Sequence, residues 1–281
     1  MTTARSVGRY AVLVIASLFA LFPVYWMLQM SIKPPAQWAS TPPVWFTLQP
    51  TLTNYLAIFG QAELTTASIN ANATGPLFNS IVISVTATAL SVTFGTLAAW
   101  SISRFRIGGN TLPLFLLTPR MFPPIAVALP LLIMYTTLNL LNTRIGLIVA
   151  YTGFTIPFSV WMTKSFIDEV PAELEEAGMM DGLTRFQTFY KITLPMIKSG
   201  VAATSLFIFI LNWSEFIVAL TLTRSMDTVP VFINKLFSAT GGTMYGMQAA
   251  LGTISVVPMI LIGYAIYEHL ARGFTFGAIH K

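Results

Sequence analysis

Six apolar runs divide the chain: Tyr10–Ser31, Asn79–Ser103, Thr111–Leu138, Ile145–Ile167, Gly200–Leu222 and Ala249–Leu270. An α-helix needs about 20 predominantly apolar residues to cross ~30 Å of hydrocarbon, and each run supplies that many. The pattern predicts an all-α integral membrane protein with six transmembrane helices in a single membrane domain over 1–281. The first run follows Arg5 and Arg9, as the apolar part of a signal peptide would. It is too long for one, and Phe22-Pro23-Val24-Tyr25-Trp26 is not a small-residue cleavage site, so it reads as a retained helix.

The polar segments between the runs differ in kind. Residues 32–78 form a long loop rich in Pro, Thr and Asn, whose Trp38, Trp45 and Tyr55 suit packing on the membrane surface. Residues 104–110 make a short turn, and 168–199 is the one loop on its side large enough to hold folded structure. Residues 223–248 contain Gly241-Gly242 and Gly246, which favour tight turns and mobility. A short tail, 271–281, ends the chain.

Composition agrees with a lipid-facing exterior. The chain is 55% hydrophobic and 9% charged, against about 25% charged residues in a soluble domain. It has no cysteine, which excludes disulfides, thiolate metal sites and cysteine nucleophiles. Imidazole is limited to His269 and His280, and nothing points to a catalytic or metal site. The net charge of +5 is better explained by topology than by nucleic acid. With the N-terminus inside, ten Lys and Arg fall on the cytoplasmic side (Arg5, Arg9, Arg104, Arg106, Lys164, Arg185, Lys191, Lys198, Arg272, Lys281) and four outside (Lys33, Arg144, Arg224, Lys235). Cytoplasmic loops carry such an excess, so both termini and segment 168–199 are expected in the cytoplasm.

Six of the ten acids lie between Asp168 and Asp181, within that segment. Pro171 suits the first position of a helix, and Ala172 to Ala177 are good helix formers with acids near the positive end of the dipole. Asp181-Gly182 reads as a stop and turn. Leu183, Phe186, Phe189, Tyr190 and Ile192 then recur at roughly helical spacing, up to Leu194-Pro195. A solvated loop kept soluble by its acids is one reading. The other is a docking element, since Ala177, Gly178 and Gly182 suit insertion into a cleft and Met179-Met180 with Phe186 and Phe189 need cover.

Glu176-Ala177-Gly178, Asp181-Gly182, Phe189, Ile192 and Leu194-Pro195 together resemble the EAA signature of ABC importer membrane subunits. Gly178, Leu183 and Ser199 depart from it, standing for Ala, Ala and a frequent Pro. Asn54-Tyr55, Asn79-Ser80, Ala98-Ala99-Trp100 with Arg104-Phe105, Met121-Phe122-Pro123-Pro124, Asn212-Trp213-Ser214-Glu215-Phe216 and Gly273 to Ala278 are similar to carbohydrate-uptake permeases. The pattern most resembles the second permease of a maltose or glycerol-phosphate type importer. The resemblance implies a type I importer fold whose coupling helix, between helices 4 and 5, docks in an ATPase groove through Glu176, Ala177, Gly178, Asp181, Gly182, Phe189, Leu194 and Pro195. It implies as partners a second homologous permease, two copies of an ABC ATPase and an extracytoplasmic solute-binding protein. The chain has no G-x-x-x-x-G-K-[ST] phosphate loop, so it is not expected to be an enzyme or to bind a cofactor; ATP and Mg belong to the ATPase.

Charge at membrane depth is costly and marks functional candidates. Arg120 lies among Pro113, Pro119, Pro123, Pro124 and Pro130, which should break its helix, and Glu215 follows Asn212 on one face. At 1.5 Å per residue the two charges sit at depths of ~13 and ~22 Å. Either each bonds separately to backbone or partner, or Arg120, Asn212, Trp213 and Glu215 line the translocation path or its gate. Trp26, Trp100 and Trp161 suit interfacial anchoring. In the family resembled, the loop matching 223–248 reaches into the binding protein, with Gly241, Gly242, Thr243 and Met244 at its tip; a plain connector is the other reading. An ion-gradient-driven carrier or a docking scaffold would also fit a membrane chain, but the Pro-broken third run lacks the twin that paired repeats require. Sugar, polyol and glycerol phosphate all fit, and the scattered outer bases favour a neutral sugar.

Overall fold

The computed structural model describes residues 2–62, 71–109, 111–118, 123–237 and 244–276. In chain order its helices are α1 (Thr2–Ser31), α2 (Thr53–Ile58), α3 (Thr74–Phe105), α4 (Leu112–Leu117), α5 (Pro124–Thr137), α6 (Arg144–Asp168), α7 (Ala172–Met180), α8 (Arg185–Thr188), a π-helical turn (Phe189–Thr193), α9 (Leu194–Met196), α10 (Lys198–Trp213), α11 (Ile217–Leu222), α12 (Val229–Phe237) and α13 (Tyr245–Phe276). No strand occurs among the described residues.

Among the described residues, four helices are long and apolar enough to cross a membrane: α1 over Gly8–Ser31, α3, α6, and α13 over Tyr245–Ile266. A fifth is counted if Arg185–Met196 and Lys198–Trp213, bent by 77°, form one broken span. The six uninterrupted runs therefore do not become six uninterrupted helices. In the third run the described residues form α4 and α5, on either side of residues 119–122, which lie outside the described residues. The fifth divides into α10 and α11 at Ser214–Phe216, where no proline or glycine marks the break.

The described residues fall into two units. One comprises Met1–Gly75 and Phe232–Val257. Its loop after α1 folds back on the helix end instead of lying free. The Asn54 amide is fully buried and donates to the carbonyls of Ser31 (2.8 Å) and Lys33 (2.9 Å). The Trp38 indole donates to the same Lys33 carbonyl at 3.0 Å. Gly246 lies in α13, not in a mobile turn: a Cβ there would meet Trp38 Nε1 at 2.3 Å and Asn54 Nδ2 at 2.7 Å. Lys33 is buried with its ammonium 4.2 Å from the centre of the Trp26 ring. Trp45 stays exposed and packs edge-on against Trp26.

The second unit comprises Pro76–Val231 and Pro258–Lys281. Here α3, α6 and α10 meet through small and hydroxylated residues, as membrane helices do when lipid offers no hydrophobic drive to associate. A Cβ on Gly95 of α3 would sit 2.3 Å from Ser159 Oγ and 3.2 Å from the Ser159 backbone carbon. Gly200 of α10 lies equally close under the Phe166 ring. Ser91 and Thr155 hydroxyls bond at 2.7 Å, and Asn212 donates to Thr88 Oγ1 at 3.1 Å. Such bonds contribute about 0.6 kcal/mol each, up to ~2. Gly95→Val should therefore lower unfolding stability in detergent by about 1–3 kcal/mol through overpacking. Gly153, with open space around it, should tolerate the same change within about 0.5 kcal/mol. Equal losses at both positions would contradict this packing.

Candidate functional site

The acidic segment folds as a short helix, a turn and a second helical stretch. Helix α7 ends in a Schellman motif: Leu183 N–H reaches the Gly178 carbonyl and Gly182 N–H the Met179 carbonyl, each at 3.0 Å. Gly182 takes φ +88°, which explains a glycine after Asp181. Thr184 and Gln187 then form a reciprocal capping box that starts α8. The chain widens into the π turn before Pro195, which brings no N–H for the carbonyl four residues back.

Of the adjacent acids Glu175 and Glu176, the structure buries the first and exposes the second. Glu175 Oε1 accepts from Arg104 Nε at 2.7 Å and from Thr193 Oγ1 at 2.5 Å, and Oε2 accepts from Trp100 Nε1 at 3.2 Å. Arg104 Nη2 also donates to the Val170 carbonyl at 2.8 Å. Trp100 is buried at 7% exposure, 4.9 Å from the Phe189 ring, so it fastens helices together instead of anchoring at an interface. Ser103 Oγ adds a 2.5 Å bond to Asp168. The cytoplasm-facing end of α3 predicted from charge is thus tied to α6, α7 and the π turn. An open cleft of about 220 Å³ lies alongside, lined by Trp100, Arg104, Phe105, Glu175, Glu176 and Met179.

The other residues of the predicted coupling set divide by face. Gly178 and Phe189 are buried, while Glu176, Ala177, Asp181, Gly182 and Pro195 are exposed and Leu194 is partly so. A Cβ on Gly178 would come within 2.5 Å of Ile192 Cδ1 and 3.4 Å of Leu183 Cδ1. The missing Cβ at Gly178 thus leaves room for the Ile192 side chain, while Leu183 lies at ordinary contact distance. Met180 (88% exposed), Phe186 and Tyr190 continue the outward face with apolar surface.

In the membrane region, Glu215 caps the helix that follows it. Oε1 accepts from Val218 N at 2.9 Å and Oε2 from Ala219 N at 3.1 Å, which satisfies two amides at the positive end of α11. Asn212 is held by Thr88, and Trp213 is buried and stacks on Phe209 at 5.7 Å. Arg120 lies outside the described residues, as do Gly241, Gly242 and Thr243. Met244 is buried, its N–H on the Leu236 carbonyl at 3.2 Å.

One organising residue escaped the sequence reading. Asn142 Oδ1 collects the successive amides of Arg224, Ser225 and Met226 at 2.9–3.0 Å, while its own N–H reaches the Leu222 carbonyl. Nearby, Asn79 donates to the Asp227 carbonyl and accepts from Arg144 Nε. An asparagine in a short turn carries no signal of such a role beyond its tolerance of φ +57°.

The chain belongs to the family of binding-protein-dependent transport system inner membrane components, whose pattern matches residues 91–276. It is a multi-pass inner-membrane permease. It is 32% identical to the inner membrane ABC transporter permease protein YcjP of Escherichia coli K12, over 99% of this chain and 97% of that one. The sulfoquinovosyl glycerol transport system permease protein SmoH of Agrobacterium fabrum is 30% identical over 92% of this chain and 88% of its own length. The trehalose/maltose transport system permease protein MalG of Thermococcus litoralis is 30% identical over 95% and 94%. The same fold occurs in a bacterial ABC transporter involved in import of the acidic polysaccharide alginate, with TM-score 0.72 and 21% identity over 95% of this chain and 96% of that one.

Burial disfavours the charged form of Glu175, but the bonds from Thr193, Arg104 and Trp100 and the Arg104 charge outweigh it and hold its pKa below the ordinary 4.5. A carboxylate lowered in the folded state stabilises above its unfolded pKa, and that contribution fades as pH falls through the folded one. In detergent, thermal unfolding of the parent and Glu175→Gln should differ by a constant amount from neutral pH down to about 4.5 and converge below it. A gap that persisted unchanged into stronger acid would contradict the ionised pair.

Proposed function

We propose that this chain is one of two permease subunits of an ATP-driven importer of a sugar or related carbohydrate, forming half of the translocation path. It has six spans in this reading, α4–α5 and α10–α11 each making one, with both termini cytoplasmic. Helix α7 is the coupling helix. Two copies of an ABC ATPase bind and hydrolyse Mg-ATP, the second permease completes the path, and an extracytoplasmic binding protein delivers the solute. The chain itself catalyses no reaction.

The observation that carries the reading is the two-sided character of α7. Glu175 and Gly178 fix it from behind, while Glu176, Ala177, Asp181 and Met180 face outward. An apolar face with two carboxylates, held on a rigid base, suits insertion into a groove of complementary charge. The sugars in the names of SmoH and MalG support a carbohydrate solute. The scattered outer Lys and Arg support a neutral sugar over a phosphate ester.

The test is reconstitution of the chain with its partner subunits. Uptake should require ATP, the ATPase and the binding protein. Glu176→Ala should reduce uptake by removing an outward carboxylate. Gly182→Val should do so by forcing a β-branched residue into a left-handed position, at about 1–2 kcal/mol of strain. Gradient-driven uptake by the chain alone, or full transport by both variants, would refute the proposal.

A further inference from the structure

Helix α7 is joined covalently toward α6 on one side and, through α8 and the π turn, toward α10 on the other. Its connection to α3 is made by side chains. Arg104 and Trp100 of α3 both donate to Glu175 of α7, and the same carboxylate accepts from Thr193 of the π turn. Arg104 is occupied twice over, by Glu175 and by the Val170 carbonyl that precedes α7. The pair is largely sheltered, with side-chain exposures of 12% and 8%, so water is a poor substitute for either partner.

We infer that Glu175 is a positioning residue that makes α3 and α7 move as one body. A displacement imposed on α7 from the cytoplasm then enters the membrane through α3, and not only through the covalently linked α6 and α10. The rest of α3 is built to pass such a movement on. Its Ser91 and Gly95 lock against Thr155 and Ser159 of α6, and its Thr88 holds Asn212 of α10, one turn before the break at Ser214–Phe216. At the far end Asn79 and Ser80 bond to Asp227 and Val229, in the segment that follows α11. A one-carboxylate joint thus lies between the cytoplasmic helix and the only helix that bonds to α6, to α10 and to the post-α11 segment among the described residues. The inference rests on the reading of α7 as the docking helix.

The absence of cysteine allows a direct test. Ala172 of α7 and Ile107, just beyond α3, are both exposed and can carry spin labels as Ala172→Cys and Ile107→Cys in the assembled importer, with cysteine-free partners. Pulsed distance measurements should give one label separation, the same without nucleotide and with ATP bound. Adding Glu175→Gln should shift or broaden that separation on ATP binding and lower the solute carried per ATP about tenfold, while the ATPase still co-purifies; loss of a charged hydrogen bond is of that size. If Glu175→Gln does not assemble, Thr193→Val removes one donor at similar volume and should show the same shift in smaller measure. A separation that changes with ATP in the parent, or a glutamine variant with unchanged distance and stoichiometry, would overturn the inference. Failure of the parent chain to retain any ATPase would instead sink the docking reading.

Discussion

The junction of α3 with α7 depends on a carboxylate that water scarcely reaches. Glu175 accepts from an arginine, an indole and a threonine on two other stretches of chain, and these donors together outweigh the cost of burying it. Removing any one of them leaves charge or polarity buried without a full complement of partners. That asymmetry is what makes the joint specific. It fixes which face of α7 points inward, and therefore which acid, Glu176, is presented outward beside Asp181 and Met180.

The membrane portion follows a different rule and reaches a compatible result. Lipid tails give helices no apolar reason to associate, so contact is made where glycine and serine let backbones approach and where hydroxyl and amide groups find each other. Gly95 against Ser159, Ser91 with Thr155, and Thr88 with Asn212 are all of this kind. Glu215 resolves the expense of a charge at depth by serving as an N-terminal cap where its own span breaks. Its carboxylate accepts from the Val218 and Ala219 amides, and the Tyr151 hydroxyl of α6 donates to its backbone carbonyl at 3.5 Å.

Much of this was legible from the chain alone because membrane insertion imposes a strong pattern. The first, second, fourth and sixth apolar runs correspond to the long helices α1, α3, α6 and α13. The spacing from Glu176 through Asp181-Gly182 to Leu194-Pro195 pointed to the family to which the chain belongs. What stayed hidden depends on residues far apart in sequence. Glu175 and Glu176 are chemically identical neighbours, and what distinguishes them is donors elsewhere in the chain: Arg104 and Trp100, 71 and 75 positions away, and Thr193, 18 positions on. Trp100 looked like an interfacial anchor because its indole partner is equally remote. The break after Trp213 had no proline or glycine to announce it, and Asn142 gained its three amides from a turn 82–84 residues on.

Helix α7 is held from behind by Glu175 and, in the proposed function, engaged from the front through Glu176. An electron cryo-microscopy structure of the assembled transporter in a lipid nanodisc tests it most directly. Glu175 should still be bonded to Arg104 and Trp100, with Glu176, Met180 and Asp181 covered by the ATPase. A structure in which Glu175 faces the ATPase, or in which the Glu176 face remains bare to solvent, would contradict it.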